Sequence, residues 1–579
     1  MEPLSRRGLR LTLNNTANFH GQAPRAGICA SRLGKTTLAV MLALTAALPC
    51  GCHRKKPPAP RAAANPADLA PERPAPPPAE SLPPPSAVGP PPHHGGSLRV
   101  HLDAEPANLM PLGELDAAAS QVTNGLIYQT LLDCSDGTYK PLLAESWDVS
   151  DDGMRIAVRL RSGVHWHDKR LFTVLDVQAT VEPLLRKGTE AAALRAELAD
   201  VASIELISER TVRFVLKRPS DFALRALCDL PILPEHLIRD VRPEASPIAR
   251  YPIGTGPFRF AGWERGKRIK LERSPEAWGQ QPGVDEIIFD LDPDAVRALN
   301  RTRRGDIDIL SRVIEAHYPE QVQPTTLHGA TVLYRLRSHR YSFLVANHQH
   351  YPLFDPRFRR AITQLWDRKR FSSELHGDLL QPIGGPPLVD DPPAPAFDRK
   401  AAIAALDEAG YRDTDADGVR DHLGHPIRLT MLEPAGNKSF NVEARAFVLE
   451  MRKAGILVDL IPTDPATIML RLKRGEFDLV PMTWQGTVDE DPTPLYGATG
   501  AFNYGGYRSE ALDALLDEAR RVTNPGARAP ILERIERLLT EEQPDIFLYR
   551  ADVPALVANR VRGLAAVGDR FDLRRVWLE

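Results

Sequence analysis

A chain of 579 residues that is 43% apolar, 26% charged and 6% aromatic has the makeup of a soluble globular protein, long enough for several domains or two large lobes. Its 73 basic and 75 acidic side chains leave a net charge of -2, which lacks the basic surplus that nucleic-acid binding requires. Five cysteines exclude a disulfide-dense scaffold, and the 53 prolines are crowded into one part of the chain.

Near the front, RLGKTTLAVMLALTAALPCGC (residues 32–52) places a basic flank before an apolar run, Leu38 to Pro49, that is too short to cross a bilayer. This is the layout of an export signal. Its ending resembles a bacterial lipoprotein signal, in which a cysteine after a small residue carries the lipid. Cys52, preceded by Gly51, fits that role better than Cys50, preceded by Pro49. The GKTT at Gly34 is no phosphate loop, because Cys29 stands where that loop needs its first glycine. Residues 53–96 are rich in proline and alanine and are expected to form an extended, solvated tether. Beyond the signal only Cys134 and Cys228 remain, either as one disulfide or as two buried thiols.

From residue 97 onward strand and helix signals alternate. SLRVHLDAEP alternates with period two, RIAVRLRSGVHWHD reads as an amphipathic strand pair, and TVRFVLKRP as a strand stopped by Pro219. Further on, EARAFVLEMRKAG is a helix ended at Gly455 and ILVDLIP a strand. IMLRLKRG is a helix ended at Gly475 and EFDLVPMTW a strand. Two such helix-strand units predict an α/β lobe with a partly parallel sheet, whose ligands bind beyond the carboxyl ends of the strands. WQGTVDEDPTP, from Trp484, follows directly on one of those ends. Near the tail, Leu512, Leu515, Leu516 and Ala519 form one apolar helical stripe and Ile531, Ile535, Leu538 and Leu539 another, ended by Pro544.

LAESWDVSDDGMRIAVRLRSGVHWHD (residues 143–168) resembles the signature of the family 5 extracellular solute-binding proteins, the peptide, nickel and oligosaccharide receptors of ABC importers. Further matches follow in that family's order: IGTGPFRFAGWERGKRIKLERSPEAWG, DEIIF, NHQHYPLFDPRFRRAI, AGYRDTDADGVRD, LKRGEFDLVPMTW and YGGYRSEALDALLDEAR. The resemblance implies a two-lobed type II periplasmic-binding-protein fold, α/β, with an extra subdomain inserted in lobe I. Lobe I would comprise residues 97–115, 251–337 and 547–579, the inserted subdomain 116–250, and lobe II 341–546. It also implies a monomer in the periplasm or cell envelope that hands a small solute, a short peptide before other classes, to an ABC permease complex; the lipoprotein-like signal would anchor it to a membrane through Cys52, with plain secretion as the alternative. A ligand-sensing envelope receptor of the same fold, and an envelope enzyme, are the rival readings.

For the site, the resemblance places an aspartate after the strand-end tryptophan, against a peptide's ammonium group. The loop here is one residue longer, so that with Asp491-Pro492 on the family's acid-proline step, Val488 takes the expected place and Asp489 lies beside it. Trp484 and Asp489 are therefore the expected ligand contacts, together with Gly254, Thr255 and Gly256 of GTGPF, where a missing side chain lets backbone approach ligand. Arg335, Arg337 and Arg340, at the expected hinge, are suited either to a ligand carboxylate or to ion pairs between the lobes. HWHD (residues 165–168) is read as structural, since adjacent strand positions supply at most two neighbouring ligands. DTDADG (residues 413–418) copies half of a calcium loop but has Gly424 where the bidentate glutamate belongs, which favours a self-bonded turn. No nucleophile motif stands out, and no cofactor, metal or enzymatic activity is expected.

Overall fold

The computed structural model describes residues 76–579, apart from 84–87, 93, 112–116, 136, 187–194, 196–197, 240–245, 328, 487–490 and 523. The export signal with Cys52, the first part of the proline-rich stretch and Asp489 lie outside the described residues.

One 11-stranded sheet runs through both lobes. Its backbone is a pair of long antiparallel strands, Thr331–Ala346 and Asp545–Ala558. The first reads TVLYRLRSHRYSFLVA, β-branched and aromatic at both ends and polar in the middle, and its register with the second shifts between Arg337 and Tyr341. On one side of that shift, residues 331–337 pair with 552–558, next to Ile309–Leu310, Ser97–Leu102, Glu286–Leu291, Arg268–Arg273 and Phe258–Glu264. On the other side, 341–345 pair with 545–550, next to Leu479–Gln485, Arg428–Pro434 and Leu457–Thr463. The polar SHR step is where the ladder is interrupted, and the buried Ser338 accepts the Arg340 N–H and donates to Asp569 there.

In lobe II three strands run parallel, with Arg428–Pro434 between the other two. Helices Lys438–Lys453 and Pro465–Arg474 make the crossovers. They cover opposite faces: Ala444, Phe447 and Met451 join one core with Trp366 and Leu344, whereas Ile468 and Leu472 join another with Phe343, Leu512, Leu516 and Ile535. Helix Lys438–Lys453 begins a turn and a half before the expected Glu443, because the Asn437 side chain accepts the Phe440 N–H and caps it. Gly455, at φ 79°, and Gly475, at φ 67°, end the two helices in the left-handed conformation that glycine tolerates best. Both tail stripes face the core: Leu512, Leu516 and Ala519 are buried on helix Glu510–Arg521, as are Ile531, Ile535 and Leu539 on Pro525–Glu542, whereas Leu515 and Leu538 are only partly buried.

Between residues 116 and 250, a four-stranded antiparallel sheet takes the order Ala144–Val149, Arg155–Leu160, Thr211–Leu216, Val201–Ser208. Helix Val174–Leu185, closed by a Thr173/Asp176 capping box, packs on it. RIAVRL is a strand as its alternation predicts, but GVHWHD turns at Gly163, φ 73°, and contributes only the His165–Leu171 bridge. Cys134 and Cys228 are joined in a disulfide with Cα atoms 5.8 Å apart, which resolves the alternative left open by the sequence. The core here is continuous with that of the 97–102 and 286–291 strands.

Part of the proline-rich segment, around Glu80, is docked on the sheet, although many of its described side chains stay exposed. Glu80 donates its N–H to the Leu333 carbonyl (2.8 Å) and accepts from Arg335, while Leu82 packs on the cores beneath. The reason lies in the sheet: Leu479–Gln485 pairs only with residues 340–346, so the 331–337 edge would otherwise stay open. An extended chain satisfies such an edge with backbone hydrogen bonds.

The two halves are also joined by His376, at the end of helix Arg368–His376. Its Nδ1 lies 2.6 Å from Glu315 and its Nε2 2.7 Å from Glu443, so the ring donates from both nitrogens as an imidazolium. Burial alone would lower its pKa, but the two carboxylates override that and raise it to about 9. Tyr549 and Trp366 donate to the other Glu443 oxygen.

Replacing Cys134 and Cys228 by serine should lower stability by about 2–4 kcal/mol, since the bridge closes a loop with a sequence separation of 94 residues; a denaturant melt unchanged from wild type would contradict this. The His376 pKa is raised on folding, so its contribution is complete below pH about 6.5 and is lost as pH rises through about 9. Stability relative to H376Q should therefore fall over that window by on the order of 2 kcal/mol; parallel pH profiles of the two proteins would refute the assignment.

Candidate functional site

With Arg428–Pro434 in the middle of three parallel strands and its flanking helices on opposite faces, the chain reverses direction at that strand's carboxyl end, the place where open α/β sheets leave a crevice. Trp484 stands at this edge. It pairs across the ladder with Tyr341, is half-buried, and its ring lies 5.2 Å from that of Phe502. At the same edge Glu433, on the central strand, is only 3% exposed. Its Oε1 accepts no hydrogen bond among the described residues, with the Arg445 guanidinium 3.5 Å away. Sequence reasoning passed over Glu433, because a single acid at the end of an apolar strand carries no pattern.

The chain leaves the edge through Gly486, whose N–H donates to the His339 carbonyl, and is described again at Asp491-Pro492. Asp491 is not a free acid. Its Oδ1 accepts the Thr493 N–H at 2.9 Å and its Oδ2 meets the Arg520 guanidinium at 2.5 Å. Burial pushes the Asp491 carboxyl up to about 6, opposed by the bonds from Thr493 and reinforced by the nearby Asp200 carboxylate. Asp200 comes from the 116–250 region, and so does Phe222, whose ring lies below both Arg520 and Arg528.

GTGPF lies against residues 126–127. A Cβ on Gly254 would stand 1.8 Å from the Ile127 carbonyl oxygen and one on Gly256 2.2 Å from that of Leu126. The close approach that requires glycine is therefore to the chain itself. Thr255 is 2% exposed and donates to Gln129 Oε1 at 3.0 Å. His167 of HWHD clips this loop: its Nδ1 accepts the Gly254 N–H and its Nε2 donates to the Gly256 carbonyl, 2.9 Å away. Burial lowers its pKa to about 4, so the ring is neutral, as those two bonds demand. Asp168 is bound in turn to His236 at 2.7 Å.

Two of the three hinge arginines make ion pairs. Arg335 meets Asp552 at 3.0 Å and Arg337 meets Asp391 at 3.1 Å, while the buried Arg550 bridges Asp391 and Asp552. Arg340 pairs with Gln485 through the ladder. In the acidic turn, Asp413, Asp415 and Asp421 bring carboxylate oxygens within 4.8 Å of one another, but each is already bonded inside the turn. Asp413 accepts Gly418 N–H, Asp415 accepts Asp417 N–H, and Asp421 accepts Thr414.

Comparison with known proteins agrees with this fold. The family model for bacterial extracellular solute-binding proteins, family 5 Middle, matches residues 138–506. Protein XP55 of Streptomyces lividans is 30% identical over 485 residues, covering 81% of this chain and 86% of its own. The oligopeptide-binding protein AppA of Bacillus subtilis (strain 168) is 26% identical over 513 residues, covering 84% and 92%. A solved structure of Bacillus subtilis AppA in complex with a nonapeptide superimposes with a TM-score of 0.66 at 24% identity, covering 84% of this chain and all of that one. With a family model matching well over half of the chain and a relative 30% identical over most of its length, this chain belongs to the family 5 bacterial extracellular solute-binding proteins.

Proposed function

We propose that the chain is the substrate-binding component of an ABC importer and that it captures a short peptide between its lobes. The observation that carries the reading is the match with the oligopeptide-binding AppA over 92% of AppA's length, in a fold whose lobes share a single strand pair. In this reading the work is done by a difference in affinity between open and closed forms, with no bond made or broken. The permease and ATPase are separate chains; among the described residues no helix is long and apolar enough to cross a membrane. The mature protein is a monomer of the periplasm or cell envelope, held to a membrane by lipid on Cys52, and mass spectrometry of its N-terminus would detect that lipid or its absence.

Asp489 is assigned to the ligand's α-ammonium group. In a closed, water-poor cleft, losing one partner of such a pair costs about 2–5 kcal/mol. Trp484 adds stacking or cation-π attraction on the order of 1 kcal/mol. Gly254, Thr255 and Gly256 are assigned to the lobe I wall, where their rigid packing on residues 126–127 would keep that wall in place.

Mass spectrometry of protein purified from its own cell envelope should find an intact peptide; a copurified metal complex or sugar in its place would displace the peptide reading, and turnover of a peptide library would replace binding by catalysis. Asp489→Ala should weaken free-amine peptides at least about tenfold more than their N-acetylated forms. Equal losses for both would remove Asp489 from the clamp.

A further inference from the structure

Two cores that share no buried side chain, one in each lobe, meet away from both the long strand pair and His376. Helix Glu510–Arg521 belongs to the lobe II core through Leu512, Leu516 and Ala519. Helix Asp221–Asp229 and the turn at Asp200 belong to the lobe I core through Ala223, Leu224, Leu227, Leu198 and Val201. Arg520, 8% exposed, sits between them. Its Nε is 3.3 Å from Thr493 Oγ1 and its Nη2 2.5 Å from Asp491 Oδ2, both within lobe II. Its Nη1 points across the gap to Asp200 Oδ2 at 3.7 Å and makes no hydrogen bond among the described residues.

We propose that Arg520 is a positioning residue for ligand capture: a latch that engages Asp200 and Phe222 when the lobes close, while holding Asp491 and with it the end of the strand-edge loop. A buried N–H donor without a partner is costly, and less than 1 Å of further approach would turn the 3.7 Å contact into a charge-assisted hydrogen bond. Asp200 is poorly placed to make that approach alone, because its other oxygen is held by Arg218 at 2.7 Å and its carbonyl by the Lys217 N–H. The movement must therefore come from the lobes. Phe222, 9% exposed, strengthens the same step: the guanidinium carbons of Arg520 and Arg528 lie 5.8 and 5.3 Å from its ring centroid, so a lobe I ring faces two lobe II cations. Because these contacts bridge the two lobes, separating the lobes would break them, so in this proposal they raise the population of the closed form and thereby scale the apparent affinity for any ligand that the closed form holds.

The effect on affinity rests on the binding-protein reading above; the latch itself does not. The test places bio-orthogonal fluorophores at exposed Glu209 and Lys473 of the full chain and reads the interlobe distance by single-molecule energy transfer in ligand-stripped protein. D200N and F222A should each reduce the closed population about threefold to tenfold, and D200N added to R520Q should do no more than R520Q alone. F222A removes no charge, so it keeps the test decisive should a charge variant fold poorly. Distance distributions unchanged by both D200N and F222A, or additive effects of D200N and R520Q, would overturn the latch even if peptides bind tightly. Failure of every peptide to bind would sink the transport reading and leave the latch standing on its distances.

Discussion

The antiparallel pair Thr331–Ala346 and Asp545–Ala558 is the constraint on which the rest depends. A continuous ladder would make one stiff sheet. The register shift between Arg337 and Tyr341 instead interrupts it after a run of pairs in one lobe and before a run in the other. Each half is buried on its own core, and at the lapse the second strand is paired only on its other side, by the short strand Leu380–Pro382, so this is where a bend would meet least resistance. The ion pairs around it, Arg335, Arg337 and Arg550 with Asp391 and Asp552, fix side chains on both sides of the lapse without replacing the missing ladder bonds.

Much of this was legible in the sequence, because periodicity and end signals are local. The helices that stop at Gly455 and Gly475, the tail stripes around Leu512 and Ile535, and the parallel strands between them could be read from spacing alone, and the order of motifs carried the family. What could not be read depends on partners distant in sequence. Gly254 and Gly256 suggest an opening for ligand when seen alone, yet their neighbours are the carbonyls of residues 126 and 127. His376 has no motif, and becomes an imidazolium because Glu315 and Glu443 arrive from opposite directions. The docking of the proline-rich segment is hidden from the sequence for the same reason: nothing local to Glu80 tells that a sheet edge awaits it.

The charges at the lobe boundary follow one pattern. Arg520, Arg550 and His376 are cations placed between carboxylates from different parts of the chain, and each is largely desolvated. In such a setting an ion pair contributes less to stability than to the choice between arrangements, because the alternative leaves a charge buried and alone. A clamp that must have two well-defined positions, and not a continuum, is served by contacts of that kind.

The docking of Glu80 on the 331–337 edge ties the proline-rich segment to one half of the molecule. The chain that precedes Glu80 departs from the part of the long strand that lies in lobe I, so any load arriving from that direction is carried by lobe I. Lobe II, with Trp484 and the end of its sheet, carries no contact from Glu80 among the described residues.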